Sequence, residues 1–587
     1  MKTKVVLLIL LCCVIGLILS IDSIYNYTIA KQGSSQAKLL KVKNPVVDKA
    51  TELLNKTPTH LLNGFDWSLP ANTSVDNTSG LLAENKANQP MINNQFLIVR
   101  WDKTNPQYGV YDFSDFEKQL DSLPHKKALV RLEVNSSCEA PAWALQKLRV
   151  TSTKSLIYWD NDYLKLTSPF IQMFAKRYAA NPQIIGVQLG LADGEFSGPC
   201  EDYDNKDGWG EFWMSPSERE EAESKFSFNP EIFETSSKAN IDVYVSAFGK
   251  HKNKLAFTNI GTLFTYGKGS EPYNSRLKEI AKYALAQGVG NRDGAIEQWM
   301  SYTDKIYGNI FTTMPDGTCR LDFDENYANK IRGRYWGTEN EFYGNDAYIL
   351  DRHGPYENQP YRFLISSLRA LQMRRNFMSL SDMRDIDDPL YKTQEFLYYL
   401  TKVMGKQIEN TPDAFVLLGE RYIAAFRLED HHEADCVKKN GDRIPIRSFG
   451  RWIEETSEGI PAIKISMSEN ENFWDQKYYL PDGIDYEYMA RESKHFSFDI
   501  NDQLAQKRCE KGCEVEIKAT FKDTVKTSLN IVVAEGRSQF LETKGDNQIK
   551  TATFTIKSSL MNKIKSSDVV LKSEHAIPLI LLRVNFL

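Results

Sequence analysis

From residue 61 onward, short apolar runs alternate with longer amphipathic stretches. Short apolar runs bounded by polar residues are typical of buried strands, and apolar residues near i, i+3, i+4 and i+7 are typical of helices. The alternation predicts βα units built around a parallel sheet. The predicted strands are residues 63–67, 95–101, 127–134, 183–190, 255–261, 287–291, 332–339 and 377–381.

Helical periodicity fills most of the intervals between these strands. The predicted helices are residues 112–123, 169–180, 236–250, 273–286, 296–307 and 359–375. Eight strands with intervening helices over roughly 340 residues match the size of a (β/α)₈ TIM barrel with insertions. The pattern therefore predicts an α/β fold with a barrel domain over residues 61–410.

After residue 410 the helical pattern fades and period-two alternation begins. It is clearest in residues 414–417, 422–427, 496–500, 514–521, 528–534, 550–556 and 577–584. Alternation at turn-separated intervals is typical of an all-β sandwich. We therefore expect a C-terminal β-sandwich accessory domain over residues 411–587, which packs against the barrel or holds a glycan.

The N-terminus carries an export signal. Lys2 and Lys4 precede residues 5–21, an apolar stretch without charge. This pattern predicts a signal peptide over residues 1–21 and a secreted or periplasmic protein. The alternative is an uncleaved N-terminal membrane anchor, because the stretch is long and no small-x-small cleavage site follows it. A lipoprotein is less favoured, since no small residue precedes Cys12. Residues 22–60 are polar and Lys-rich, which is typical of a linker.

Charge and motifs narrow the function classes. The chain has 72 Lys and Arg against 77 Asp and Glu, a net charge of -5, so there is no basic surplus to attract nucleic acid. Nucleotide-binding glycine loops and zinc-protease motifs are absent, and we expect neither a cofactor nor a metal. Cys509 and Cys513 flank a short turn, so we expect a local disulfide between them.

Polar residues gather where the predicted strands end. Barrel active sites lie at the C-terminal ends of the strands, so these residues are the candidates for chemistry. Strand two ends in Arg100-Trp101-Asp102, strand three contains Arg131 and Glu133, strand four runs into Asp193-Gly194-Glu195, strand five into Asn259, and strand seven into residues 335–341.

One of these ends resembles a known group. Arg100-Trp101-Asp102, followed by Pro106-Gln107-Tyr108-Gly109-Val110-Tyr111-Asp112-Phe113, resembles the second strand and loop of clan A glycoside hydrolases of the barrel β-galactosidase and agarase sort. The resemblance covers residues 62 to about 405 in layout. In that clan the acid/base glutamate follows strand four and the nucleophile ends strand seven.

Carried over by position, the resemblance implies that Glu195 is the acid/base and Glu339 the nucleophile. Glu341 is an alternative nucleophile, because it would point to the same side of a continuing strand. The clan usually has Asn-Glu at the end of strand four, where this chain has Asp193-Gly194-Glu195. A retaining mechanism needs two such carboxylates about 5 to 5.5 Å apart.

Indoles and planar polar groups at the same ends are candidates for binding sugar rings. Core packing is an equal alternative for each Trp, and an internal ion pair with Glu133 is an equal alternative for Arg131. The predicted substrate-binding residues are Trp67, Trp101, Arg131, Trp143, Asp193, Asn259, Trp299, Trp336 and Glu341.

The resemblance thus implies a retaining glycoside hydrolase acting on a β-linked polysaccharide or oligosaccharide, such as a sulfated algal galactan. The alternatives are a carbohydrate-binding protein that has lost catalysis and an anchored surface protein in which the barrel serves assembly. The only membrane contact expected is through an uncleaved N-terminal anchor. The sequence leaves the sugar, endo or exo action and the oligomeric state open.

Overall fold

The structure is a computed structural model of the 587-residue chain. It describes residues 80–83, 92, 94–123, 127–134, 139–152, 156–189, 216–259, 271–293, 305–314, 319–340, 359–380, 394–418, 446–457, 462–464, 489–509, 512–533, 538–558 and 567–587. All of them belong to one unit, Leu54–Leu587. No helix in these ranges is long and apolar enough to cross a bilayer.

Eight parallel strands close into a barrel, and they follow one another around the ring in chain order. The first ten strands are β1 (Gly80–Ala83), β2 (Asn94–Arg100), β3 (Lys127–Glu133), β4 (Ile184–Gln188), β5 (Leu255–Asn259), β6 (Gly290–Asp293), β7 (Asn309–Thr313), β8 (Cys319–Phe323), β9 (Trp336–Asn340) and β10 (Phe377–Leu380). All but β7 and β8 form the barrel. The ring closes where β1 pairs with both β10 and β2.

Helices follow most of the barrel strands. They are α1 (Trp101–Thr104), α2 (Ser114–Asp121), α3 (Ala142–Leu145), α4 (Asn161–Tyr178), α5 (Pro216–Phe226), α6 (Pro230–Phe248), α7 (Glu271–Ala286), α8 (Glu325–Ile331), α9 (Gln359–Gln372) and α10 (Gln394–Val403). A further helix, α11 (Asp502–Cys509), lies in the C-terminal part. Polar side chains cap several of the helix starts. The side chain of Asp160 accepts from the backbone N–H of Asp162 at α4, and Asn229 accepts from that of Ile232 at α6.

The C-terminal part is an all-β module. Its strands are β11 (Asp413–Leu418), β12 (Ile446–Arg451), β13 (Ile453–Glu455), β14 (Ala462–Lys464), β15 (Met489–Ile500), β16 (Cys513–Lys522), β17 (Ser528–Val533), β18 (Ser538–Glu542), β19 (Ile549–Ser558) and β20 (Val569–Phe586). The first part of β20 pairs with β15 and β17, and its last part pairs with β11 and β16. One hydrophobic core contains residues from both parts. The strands of this module therefore pack around a single core.

A hairpin from within the barrel domain joins this module. Strands β7 and β8 pair antiparallel with each other, and β8 pairs parallel with β12. The hairpin lies in the chain between barrel strands β6 and β9. The sheet of the all-β module therefore extends onto a segment that the barrel contributes.

Charged side chains connect the barrel to the all-β module. The guanidinium of Arg374, which follows α9, lies 4.3 Å from the ring centre of Trp452 and is paired with Glu325. Arg451 of β12 donates from Nη2 to the carbonyl of Val403, at the end of α10, over 2.9 Å. A lysine could not replace an arginine at these positions, because only the planar guanidinium both stacks on a ring and donates several hydrogen bonds.

The predicted fold class, a TIM barrel followed by an all-β sandwich, is confirmed. The first predicted strand, residues 63–67, lies outside the described residues, and Gly80–Ala83 occupies its position in the ring, so that prediction was wrong. The sixth strand begins three residues later and ends two residues later than predicted. Helix α4 begins eight residues earlier, because Asp160 caps it and Pro169 is accommodated inside it. Of predicted helix 296–307, only the single 3₁₀ turn Lys305–Tyr307 is described. Strand 422–427 lies outside the described residues.

The predicted disulfide between Cys509 and Cys513 is confirmed. It joins the end of α11 to the start of β16, and Gly512 in the turn between them has a φ of 85°, which a glycine adopts without strain.

Candidate active site

An apolar floor fills the barrel interior. Leu129, Ala256, Tyr335 and Phe377 form one cluster, and the rings of Tyr335 and Phe377 stack with centroids 4.7 Å apart. A β-carbon at Gly186 of β4 would lie 2.6 Å from the Tyr335 ring. Tyr335 therefore reaches across the barrel to the opposite strand, and these five positions face inward.

A polar layer lies on this floor, toward the C-terminal ends of the strands. Side chains two residues further along a strand point to the same face. That relation places five buried or half-buried polar side chains on the inner face: Arg131, Gln188, Arg292, Glu339 and Ser379. Gly290 is in register with the inward-facing Ala256, so Arg292, two residues further along the strand, also faces inward. The barrel thus changes from apolar to polar at the end where barrel enzymes place their chemistry.

The centre of this layer is a buried ion pair. Nη2 of Arg292 lies 2.9 Å from Oε2 of Glu339, and their side chains are only 2% and 1% exposed. The strands that carry them are neighbours, with Arg292 in register with Gly337. A guanidinium beside a buried carboxylate favours its ionised form. Glu339 is therefore a buried member of an ion pair on the inner face of the barrel.

A second ion pair lies on β3. Nε of Arg131 donates to Oε1 of Glu133, two residues further along the strand. The guanidinium of Arg131 also lies 5.4 Å from the ring centre of Phe96. The internal ion pair that the sequence left open is therefore present, and Arg131 still faces the interior.

A further arginine supports strand β9 from behind. Nη1 of Arg375 donates to Oδ1 of Asn291 over 2.9 Å and to the carbonyl of Gly337 over 3.0 Å. Its guanidinium lies 4.5 Å from the ring centre of Trp336. The sequence did not predict a role for Arg292 or Arg375. A usable signal was the charged end of β6, because an arginine in a short barrel strand is unusual.

The structure separates the predicted tryptophans. Trp101 and Trp336 are fully buried in the main core, so neither presents an indole face to a sugar. For these two residues, the core-packing alternative is the one observed. Trp143 is half-buried on the loop side of β3, and its Nε1 donates to the carbonyl of Asn105 over 2.9 Å. Of these three, only Trp143 keeps exposed indole surface.

Several predicted site residues are not described. Glu195, Asp193, Trp67, Trp299 and Glu341 lie outside the described residues, and so does the side chain of Asn259, whose backbone ends β5. The carboxylate expected to face Glu339 therefore stays a prediction. Within the described ranges, no group of three or more His, Cys, Asp or Glu side chains is placed to bind a metal.

No protein-family profile matches this sequence. No curated protein matches it either. Among solved structures, a β-galactosidase from Marinomonas ef1 shares 11% identity at a TM-score of 0.27, and 49% of this chain covers 49% of that one. A β-galactosidase from Rahnella sp. R3 shares 11% identity at a TM-score of 0.27, and 52% of this chain covers 58% of that one. An endo-β-1,4-xylanase from Gloeophyllum trabeum shares 9% identity at a TM-score of 0.30, with 56% of this chain covering all of that one.

The chain spans about half the length of the first two of these structures. These structural neighbours are glycoside hydrolases, but similarity at this level does not assign an activity to this chain.

Proposed function

We propose that this protein is a retaining glycoside hydrolase in which Glu339 is the nucleophile and Glu195 the acid/base. One observation carries the proposal: a buried glutamate at the end of the seventh barrel strand faces the interior and is paired with an arginine. A surface glutamate would be solvated, and a purely structural one would not need a polar layer on the open side of the barrel.

In the proposed reaction, Oε of Glu339 attacks the anomeric carbon while Glu195 gives its proton to the departing glycosidic oxygen. The glycosyl-enzyme ester is then hydrolysed by a water molecule, from which Glu195 takes a proton. Arg292 pairs with the attacking carboxylate and fixes its direction. Arg292 acts on the reaction only through its contact with Glu339, so it is a positioning residue.

The proposed substrate is a β-linked polysaccharide or oligosaccharide, with a sulfated galactan as the first candidate. The resemblance of residues 100–113 to the barrel β-galactosidases and agarases supports the galactan. Both arginines of the inner layer are already paired with glutamates. Recognition of a sulfate by this protein therefore calls for another cation.

The test uses purified full-length protein against agarose, carrageenan, xylan and aryl β-glycosides. Glu339→Ala is expected to lower the rate by roughly 10³-fold or more, as removal of a nucleophile does. Added azide is expected to restore turnover by attacking the anomeric carbon in place of the carboxylate. The matched control is Glu117→Ala, a half-exposed carboxylate on α2, which is expected to leave the rate unchanged.

NMR of the first-formed anomer then separates retention from inversion. Unchanged hydrolysis by Glu339→Ala refutes the assignment of the nucleophile. A wild-type protein that binds a polysaccharide without cutting any member of the panel favours the second candidate, a non-catalytic carbohydrate-binding protein. The departure at Asp193-Gly194-Glu195 from the usual Asn-Glu is the feature that supports this second candidate.

We also propose export through residues 1–21. Mass spectrometry of the protein from its host distinguishes the outcomes: loss of the leader indicates secretion, and its retention in the membrane fraction indicates an anchor.

A further inference from the structure

A rigid turn holds an exposed tyrosine at the rim of the barrel. Residues 107–110 form a turn closed by the backbone N–H of Val110, which donates to the carbonyl of Gln107 over 3.0 Å. Gly109 has a φ of 77°, the left-handed conformation that a type II turn requires. Tyr108 lies at the tip of this turn and is 67% exposed.

A buried amide fixes the turn. Asn105 is 2% exposed, and its Nδ2 donates to the carbonyls of Gln107 and Val110 over 2.8 and 2.7 Å. Its Oδ1 accepts from Nε1 of Trp101 over 3.3 Å. The chain therefore uses a fully engaged buried side chain to hold an exposed aromatic ring in place. A ring fixed in advance loses little conformational entropy when a ligand binds to it.

A tryptophan and a lysine complete the group. The rings of Tyr108 and Trp143 meet edge to face with centroids 5.2 Å apart, and Nζ of Lys147 lies 5.2 Å from the centre of the Tyr108 ring. Within the described part of the chain, no carboxylate pairs with Lys147. The group thus combines two aromatic rings with an ammonium that none of the described acidic side chains neutralises.

The position of the group relates it to the candidate active site. Tyr108 lies on the loop after β2, and Trp143 and Lys147 lie after β3, so all three are at the C-terminal ends of barrel strands. Glu339 lies at the same end of β9. The group and Glu339 therefore lie at the same end of the barrel.

We propose that Tyr108, Trp143 and Lys147 form a subsite that binds an anionic sugar unit of the substrate chain. The rings contact the apolar face of the sugar, and the ammonium of Lys147 binds its sulfate or carboxylate group. This inference rests on the proposed function only for the identity of the ligand as a polysaccharide. In this proposal the rim, rather than the paired arginines of the inner layer, binds the negative charge of the substrate.

The test measures binding rather than cleavage, so it is independent of catalysis. Full-length protein carrying Glu339→Gln is titrated with carrageenan, alginate and agarose, which are sulfated, carboxylated and neutral. Tyr108→Ala is expected to weaken binding of the anionic polymers by roughly threefold to tenfold. Lys147→Gln is expected to abolish the preference for anionic over neutral polymers and to reduce the dependence on salt.

The chain offers a matched control. Tyr398 and Lys402 on α10 form a similar pair, with Nζ 4.5 Å from the ring centre and the tyrosine 53% exposed. Tyr398→Ala is expected to leave all three affinities unchanged. Thermal melting of each variant excludes unfolding as the cause, and Tyr108→Phe, which keeps the ring, is expected to retain most of the binding.

Each outcome decides the proposal. Losses confined to carrageenan identify a sulfate site, and losses confined to alginate identify a carboxylate site. If Lys147→Gln changes nothing, or if the Glu339→Gln protein binds none of the polymers, the anionic subsite is refuted. If binding depends on Tyr108 and Lys147 but the enzyme with Glu339 intact cuts nothing, the subsite stands and the proposed hydrolase function fails.

Discussion

Replacing Arg292 by leucine tests the central ion pair of the barrel. The change leaves the carboxylate of Glu339 buried, at 1% exposure, without the guanidinium that lay 2.9 Å away. Two unit charges about 4 Å apart interact with roughly 4 kcal/mol at an effective dielectric constant of about 20. Breaking one side of a buried ion pair typically costs about 3–5 kcal/mol, so the two estimates agree.

The expected result is a loss of about 4 kcal/mol in the free energy of unfolding, or roughly 4 °C in melting temperature for a unit of this length. Arg332→Leu is the control, because that arginine pairs with Glu409 at the surface, with side chains 48% and 49% exposed. Exposed pairs contribute about 0–1 kcal/mol. Calorimetric melts of the two variants and of the wild type provide the measurement.

A second variant isolates the charge. Replacing Arg292 and Glu339 together by leucine removes both charges, and its stability is expected to lie within about 1 kcal/mol of the wild type. If Arg292→Leu melts like Arg332→Leu, the pair does not hold Glu339 and the reasoning is refuted.

Three further predictions concern the fold. Burial raises the pKa of Asp499 and of Asp568 to about 6, and the charge of Asp502 adds to both rises, so as the pH falls the folded protein takes up protons there before the unfolded chain does. The denaturation midpoint is therefore expected to rise as the pH falls from 7 toward 5, and Asp499→Asn to flatten that rise. Replacing the disulfide-bonded cysteines 509 and 513 by serine is expected to lower stability by about 2 kcal/mol, the entropy of closing so short a loop, measured by denaturant titration. Gly290→Ala is expected to lower the melting temperature sharply, because its β-carbon would lie 1.9 Å from a backbone oxygen of the next strand.

The sequence predicted those barrel strands whose apolar character leaves few alternatives. β3 and β10 are buried along nearly their whole length, and their predicted bounds differ from the observed ones by one residue. β1 was missed because it has only four residues, two of them Gly and Ala, whose pattern is too short for periodicity. The hairpin of β7 and β8 was missed because its partner strand β12 lies more than a hundred residues away.

The candidate site likewise contains some residues that the sequence predicted and others that it did not. Glu339 was predictable, because it ends a strand whose order in the barrel can be counted. Its partner Arg292 was not, since a pairing between neighbouring strands 47 residues apart depends on register, which propensities do not encode. The burial of Trp101 and Trp336 was equally hidden: both indoles follow strand ends, and only packing decides whether such a ring turns inward or outward.

The long strand β20 has a consequence for biosynthesis. It pairs with four earlier strands, so none of them has all its neighbours until the ribosome has released residues 569–586. The hairpin contributed by the barrel attaches to the same sheet through β12, and it too waits for that sheet to assemble. The nascent chain therefore carries unpaired strand edges in the all-β module until β20 is made, and a ribosome stalled before residue 569 leaves that module with open edges that recruit chaperones or aggregate.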